Sequence, residues 1–310
     1  MTAQLQQKLT HSISLLKNAE QLAKLYDPID GFFLGFSGGK DSQALYHVAK
    51  MAGVPFKAHM SLTSVDPPAV IRFVKTQYPD VELIAPKESI YNVAIRKQIL
   101  PTAVARWCCD VYKEHAGAGK VTLTGIRRKE SIKRSKRNEY EVSRRKFSGT
   151  AEEFAEWQTE QRMKDDRWDI DTESQIRCIG GKDSIIINPI IYWTERDVWE
   201  FLNDVVKVPH CELYDTGHAR IGCLFCPMSN TKNFRMDEKE YPHQRHRWIE
   251  TIKTMRRMGY LHNIDPYVKM ERYSEDEQAE IVFDWWRSKQ NVKDYVMDNF
   301  RQQKINFNDL

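Results

Sequence analysis

No stretch of the 310 residues approaches the ~20 consecutive apolar residues that a membrane-spanning helix requires, so the sequence offers no candidate bilayer span. Residues 1–27 lack the basic head, apolar middle and small-residue cleavage site of a secretory leader, and the cytoplasm is the expected location. Six cysteines without an export signal argue against a disulfide framework. Low-complexity tracts are absent, and so is any repeat beyond one five-residue coincidence. Neither sign of charge dominates: 47 Lys and Arg against 43 Asp and Glu leave a net charge of +4, too little to demand a polyanionic partner. What is present, 41% hydrophobic and 29% charged residues, suits a water-soluble globular chain with enough length for a substantial core.

The strongest local signal is Phe32-Phe33-Leu34-Gly35-Phe36-Ser37-Gly38-Gly39-Lys40-Asp41-Ser42, an apolar strand running into a glycine-rich turn, with a helix expected over residues 44–52. Glycines allow a sharp turn and close backbone approach, while a helix N-terminus presents unpaired N–H groups and the positive end of its dipole to an anion. Lys40 adds a charge, and Ser37 and Ser42 add hydroxyl donors. A Walker A loop is excluded, because that motif is longer and places a hydroxyl directly after its lysine, where this chain has Asp41. Asp41 is better suited to orienting the loop, capping the helix or helping to hold Mg2+ than to touching phosphate. Gly180-Gly181-Lys182-Asp183-Ser184 repeats five letters of the motif, but it leads into Ile185-Ile186-Ile187, a strand, so no helix dipole points at it.

Strands are expected at residues 32–36, 57–62, 81–85, 121–124 and 185–188, with helical spacing at 68–77 and 90–97 between them. This alternation predicts an α/β fold, a mainly parallel twisted sheet with helices on both faces. Ligands of such sheets bind beyond the carboxyl ends of strands, where residues 37–42, 63–66 and 125–128 fall. An amphipathic helix carrying Leu5, Leu9, Ile13, Leu16, Leu22 and Leu25 is expected over residues 1–27. A domain over 28–230 built round the anion-binding turn, with a basic and polar insertion near 127–180 holding one helix around 151–163, and a helical segment over 231–310 complete the expected organisation. Trp248, Ile252, Met255, Ile281, Trp285 and Trp286 read as packing faces of that last segment rather than as a base-stacking platform.

Four cysteines fall in two close pairs, Cys108-Cys109 and Cys223-x-x-Cys226, whereas Cys178 and Cys211 stand alone and read as buried thiols. Four thiolates suit tetrahedral zinc or an iron–sulfur cluster, and spacing by itself does not choose. Adjacent sulfurs chelate one small ion poorly but can occupy separate corners of a cube, which favours 4Fe-4S. Arg127, Arg128, Lys129, Lys133, Arg134, Lys136, Arg137, Arg144, Arg145 and Lys146 crowd residues 127–146. Such a window either grips a nucleic acid or forms a solvated loop, and interspersed Glu130, Glu139 and Glu141 dilute it.

In order along the chain stand the Ser-Gly-Gly-Lys-Asp-Ser turn, Cys108-Cys109, Thr124-Gly125-Ile126-Arg127-Arg128-Lys129-Glu130-Ser131, Asn188-Pro189-Ile190, residues 193–199 and Ile221-Gly222-Cys223-x-x-Cys226. Together they resemble the phosphoadenosine phosphosulfate (PAPS) reductase family of the PP-loop, adenine-nucleotide alpha-hydrolase-like superfamily. The resemblance implies an adenine nucleotide held by Ser37, Gly38, Gly39, Lys40, Asp41 and Ser42, with Gly125 and Arg127 near its charged tail. It implies a 4Fe-4S cluster on Cys108, Cys109, Cys223 and Cys226, with Lys113 near it. Lys40, Arg127 and Arg128 are the candidate catalytic cations. Asp66 is a candidate for contact with adenosine or a metal, or else a turn residue before Pro67.

Reductases of this family carry a further cysteine in a C-terminal Glu-Cys-Gly type motif, and no cysteine follows Cys226 here. The remaining features look more like the sulfur-transfer proteins of DNA phosphorothioation systems, which implies splitting of ATP to AMP and pyrophosphate and sulfur supplied by a donor such as a cysteine desulfurase. Reduction of PAPS or adenosine phosphosulfate to sulfite, and a non-enzymatic nucleotide or redox sensor, are the alternatives.

Overall fold

The computed structural model describes residues 1–142, 147–164 and 184–300. In chain order the helices are α1 (Ala3–Tyr26), α2 (Lys40–Ala52), α3 (Pro68–Gln77), α4 (Ile90–Lys97), α5 (Trp107–Cys109), α6 (Ile132–Ser135), α7 (Ala151–Lys164), α8 (Glu195–Glu200), α9 (Thr231–Glu240), α10 (Pro242–Arg257), α11 (Glu275–Ser288) and α12 (Val292–Asn299). The strands are β1 (Phe32–Gly35), β2 (Phe56–Ser61), β3 (Glu82–Ile84), β4 (Val121–Leu123), β5 (Tyr140–Val142), β6 (Phe147–Gly149) and β7 (Ile185–Ile187). The chain divides into two compact units, one of Met1–Ser61, Pro68–Ile84 and Lys113–Ile221, the other of Leu62–Pro67, Ala85–Tyr112 and Gly222–Leu310.

The first unit contains the whole sheet, in the order β3-β2-β1-β4-β7-β5-β6. β1, β2, β3, β4 and β7 pair in parallel, while β5 runs antiparallel to both β6 and β7. The fold is therefore α/β around a mainly parallel sheet, as the alternation predicts. β1 is short and apolar, with Phe32, Phe33 and Leu34 all buried, which is how a strand covered on both faces reads. The chain winds outward from β1 through β2 to β3, then returns to place β4 on the other side of β1. That reversal makes the carboxyl end of β1 a topological switch point, where the loops after β1 and β4 leave the sheet side by side.

α1 is capped by Thr2, whose hydroxyl accepts from the Leu5 N–H. Its buried stripe is Leu5, Leu9, Ser12, Leu15, Leu16, Ala19 and Ala23, whereas Leu25 is exposed. The expected stripe through Ile13, Leu22 and Leu25 is thus rotated. The physical reason is Ser12, which donates to the Pro189 carbonyl at 2.7 Å and accepts from the Trp193 indole at 3.1 Å, so a polar residue is buried with its bonds made. The β5–β6 hairpin lies within the polar stretch read as an insertion. Each strand is three residues long and set among charged residues rather than in an apolar run like that of β7, which conceals it in the sequence, and Tyr140 stacks on Phe154 of α7 at 5.1 Å. Cys178 and residues 180–183 of the second Gly-Gly-Lys-Asp-Ser lie outside the described residues, and the strand expected after them is β7.

The second unit is helical. Phe225, Phe234, Trp248, Ile252, Met255, Phe283 and Trp286 are buried in one cluster, with Ile281 and Trp285 packed against it. Its rings meet edge-on or tilted, as at Trp248 and Trp286 with centroids 4.9 Å apart, a packing arrangement rather than an open stacking surface.

Candidate functional site

The turn after β1 forms because Gly38 sits at φ +72°, in the left-handed region. A Cβ there would lie 2.8 Å from a Val70 methyl and 3.0 Å from a Val74 methyl of α3, so the position has neither conformational nor spatial room for a side chain. Gly39 is the N-cap of α2 and supplies no side-chain cap, which leaves the first N–H groups of the helix to other partners. The helix opens at Lys40, four residues earlier than its apolar pattern suggests, and so places Lys40, Asp41 and Ser42 in its first turn. Ser42 closes the loop, its hydroxyl donating to the Gly39 carbonyl at 2.8 Å and accepting from the Ser37 N–H at 3.2 Å.

Gly125, on the loop after β4, serves the site by its lack of a side chain. A Cβ there would stand 2.9 Å from the Asp41 carbonyl oxygen, 3.0 Å from its carbon and 3.3 Å from the Ser42 nitrogen. The β4 loop thus lies directly against the first turn of α2. This contact brings Arg127, 4% exposed, onto Asp41, with Nε donating to Oδ1 at 2.6 Å. Lys40, also 4% exposed, has its ammonium 3.6 Å from Asp41 Oδ2 and 3.4 Å from Glu195 Oε1 of α8. Two buried cations, Lys40 at the N-terminus of α2 and Arg127 on the loop after β4, are thus gathered round one carboxylate, an arrangement whose chemistry can serve an oxyanion. Both oxygens of Asp41 already face cations, so this residue orients Lys40 and Arg127.

Two members of this arrangement were not singled out from the sequence. Glu195 lies in a family segment with no role of its own attached. Tyr214, in a single 3-10 turn, accepts the Lys40 N–H at 2.8 Å and has its ring centroid 5.6 Å from the Lys40 ammonium. Burial holds the Tyr214 phenol well above its ordinary pKa.

Arg128 turns away from this group. Its Nε donates to the Arg137 carbonyl at 2.8 Å, its Nη2 donates to Asn138 at 2.5 Å, and its guanidinium lies 4.9 Å from the Tyr192 ring centre. Those contacts make it a clasp for the segment leading to β5. Further along the basic window, Arg134 pairs with Glu130 and Arg137 with Glu141. Two of the acidic residues that dilute the window in sequence, Glu130 and Glu141, thus neutralise specific arginines, while Glu139 lies 2.7 Å from His11 Nε2, and Lys129, Lys133 and Lys136 are left exposed. Arg144, Arg145 and Lys146 lie outside the described residues.

The four paired cysteines fall in the second unit, all half-buried, while Cys211 is a fully buried thiol in the first. Cys108 is pushed far up from its ordinary pKa, first by its hydrogen bond with Cys109, then by burial, then by the charges of Cys109, Cys226 and Cys223. One thiol therefore senses the other three. Thr63 Oγ1 lies 3.4 Å from Cys223 Sγ, and Arg106 Nη2 lies 3.5 Å from Cys109 Sγ. Lys289 is near enough to Cys226 for the thiolate's charge to raise its pKa, although burial lowers it overall. Among the described residues no group of three or more His, Cys, Asp or Glu side chains converges to hold a metal ion. Four half-buried thiols with cationic and hydroxyl neighbours are a donor set that suits either a tetrahedral ion or an iron–sulfur cluster. Lys113 belongs to the first unit. Asp66 belongs to the second, where it accepts from the Thr63 N–H at 2.5 Å and from the Thr63 hydroxyl at 3.0 Å, a turn closure before Pro67.

Residues 31–229 match the model of the phosphoadenosine phosphosulfate reductase domain. An uncharacterized protein of Methanocaldococcus jannaschii is 28% identical over 260 residues, covering 80% of this chain and 53% of its own. An adenosine 5'-phosphosulfate reductase of Oceanobacillus iheyensis is 27% identical over 198 residues, covering 60% of this chain and 62% of its own. The chain thus spans little more than half the length of these relatives. Among solved structures, a phosphoadenylyl-sulfate reductase from Candida auris in complex with phosphate aligns with a TM-score of 0.40 at 15% identity, over 72% of this chain and 96% of that one.

Proposed function

The chain belongs to the phosphoadenosine phosphosulfate reductase domain family, and we propose that it binds ATP at residues 37–42 and splits it to AMP and pyrophosphate, activating an acceptor for sulfur transfer. The observation that carries this reading is the buried Lys40 in the first turn of α2, beside a glycine turn that admits no side chain. An acceptor oxygen attacking the α-phosphorus forms an adenylylated acceptor and expels pyrophosphate, with negative charge growing on the departing bridge oxygen; AMP leaves in turn when a sulfur nucleophile from the donor displaces it from the acceptor. The Lys40 ammonium and the Asp41 and Ser42 N–H groups of the first turn of α2 are the donors that would stabilise the charge on the bridge oxygen, and the Ser37 and Ser42 hydroxyls, bonded to each other and to the Gly39 carbonyl, would hold the turn that presents them. Arg127, held in line by Asp41, would hold a phosphate oxygen of the bound nucleotide. Mg2+ accompanying the nucleotide would be held through its phosphates, since Asp41 is engaged by Lys40 and Arg127.

Cys108, Cys109, Cys223 and Cys226 would hold a 4Fe-4S cluster, which supplies an iron site for sulfur or an electron store. Arg106 and the Thr63 hydroxyl would offset the negative charge on Cys109 and Cys223. The acceptor in this reading is a nucleic acid, met by the exposed Lys129, Lys133 and Lys136, as in DNA phosphorothioation, with a cysteine desulfurase as sulfur donor. A second reading, reduction of a sulfonucleotide to sulfite, is favoured by the Oceanobacillus relative. Calorimetric titration with ATP tests the nucleotide site. Lys40→Ala is expected to weaken ATP at least about 30-fold, the loss of a charge-assisted hydrogen bond of roughly 2 kcal/mol. Unchanged affinity contradicts the assignment.

A further inference from the structure

The phenol of Tyr214 stands on the one N–H that the oxyanion seat most needs. Lys40 N is the first amide of α2, and the Tyr214 oxygen accepts from it at 2.8 Å. A Cβ on Gly39 would lie 3.4 Å from the same oxygen, so the hydroxyl borders the turn itself. The ring is fixed from behind by Trp199, whose centroid is 5.1 Å away in an edge-to-face contact, and by His210 at 6.1 Å. The hydroxyl's own proton has no acceptor among the described residues. An O–H whose oxygen already accepts from a helix N-terminal amide is polarised and becomes a stronger donor. Burial keeps the phenol protonated through the neutral range.

We propose that Tyr214 is a phosphate-binding residue of the nucleotide site, relaying the Lys40 amide through its oxygen and donating its own proton to a phosphate oxygen of the nucleotide or the leaving pyrophosphate. The inference rests on the reading of residues 37–42 as a phosphate seat and adds a donor that the glycine turn itself does not contain. Because the contact is made through the hydroxyl alone, the ring, Trp199 and His210 serve to aim it.

The experiment is calorimetric titration of the whole protein with pyrophosphate, comparing wild type, Tyr214→Phe, Lys40→Ala and a protein carrying 3-fluorotyrosine at position 214. Tyr214→Phe is expected to weaken pyrophosphate about 5- to 10-fold while leaving adenosine, which has no phosphate, unaffected. The fluorinated phenol, nearly the same shape but more acidic, donates better and accepts worse, so it is expected to tighten pyrophosphate. That sign separates the donor role from a purely structural one. Unchanged or tighter binding in Tyr214→Phe would overturn the proposal, the latter showing that the phenol merely plugs the seat. Weaker binding with fluorotyrosine would also overturn it, leaving the oxygen as a passive acceptor for the Lys40 amide. If Lys40→Ala also binds pyrophosphate normally, the phosphate seat itself is misplaced. If Lys40→Ala loses binding and Tyr214→Phe does not, only the assignment of Tyr214 falls.

Discussion

Gly125 tests whether the two loops at the switch point act as one device. Gly125→Ala would place a methyl 2.9 Å from the Asp41 carbonyl oxygen and 3.0 Å from its carbon. Ordinary contacts of this kind lie near ~3.4 Å, so one backbone must yield by roughly 0.5 Å. Neither neighbour is the end of a flexible side chain, and the strain falls on the first turn of α2. Overpacking of this kind costs about 1–3 kcal/mol, which in a domain of this size lowers the melting temperature by several degrees at ~2–4 °C per kcal/mol. The functional effect is the larger discriminator. The displacement moves the first-turn donors off their positions, and weakening one charge-assisted contact by roughly 1.4 kcal/mol weakens pyrophosphate about 10-fold. Gly35→Ala is the matched control, because a Cβ there meets the Leu123 carbonyl at 3.6 Å, an ordinary contact. Calorimetry and thermal melting of both variants suffice. Wild-type affinity and an unshifted melt in Gly125→Ala would refute the argument that close approach of the β4 loop sets the seat.

Single Cys→Ser changes at 108, 109, 223 and 226 are each expected to lower iron and acid-labile sulfide in anaerobically purified protein, while Cys211→Ser leaves both unchanged; equal iron in all five variants would remove the ligand assignment. His47, half-buried with Nε2 3.1 Å from the Tyr78 hydroxyl, has its pKa pushed down to about 4 chiefly by the loss of solvent around it. The unfolded chain binds that proton near 6.5, so it takes up more protons than the folded state below that value. Stability from this group is therefore complete above pH ~6.5 and is lost as pH falls toward 4, by on the order of 1–3 kcal/mol. Urea midpoints at pH 7.5 and 5 should show that loss in wild type and a smaller one in His47→Gln.

Legibility followed the range of each signal. β1 and the glycine turn were readable because apolar strand, turn glycines and helix are contiguous, and their chemistry is local. The parallel sheet followed from the spacing of its strands, whereas β5 and β6 hid in three-residue segments among charges. α1 was readable as a helix but not in its facing, because Ser12 is buried for hydrogen bonds that come from residues 189 and 193. The partnership of Arg127 with Asp41 spans 86 positions and that of Lys40 with Tyr214 spans 174, so no periodicity encodes either. Arg128 could not be told from Arg127 by composition; only their opposite contacts separate a residue at the seat from a clasp on the next segment.

The central claim is that the seat at residues 37–42 releases pyrophosphate from ATP. The most direct measurement is pyrophosphate, AMP and sulfite release by anaerobically purified protein given ATP or a sulfonucleotide, with and without DNA, beside Lys40→Ala. The account predicts pyrophosphate from ATP with DNA present, an equal amount of AMP once a sulfide source is added to complete the transfer, loss of both in Lys40→Ala, and no sulfite from the sulfonucleotide. Sulfite from adenosine phosphosulfate or its 3'-phosphate, with ATP left intact, would contradict it and make the protein a reductase.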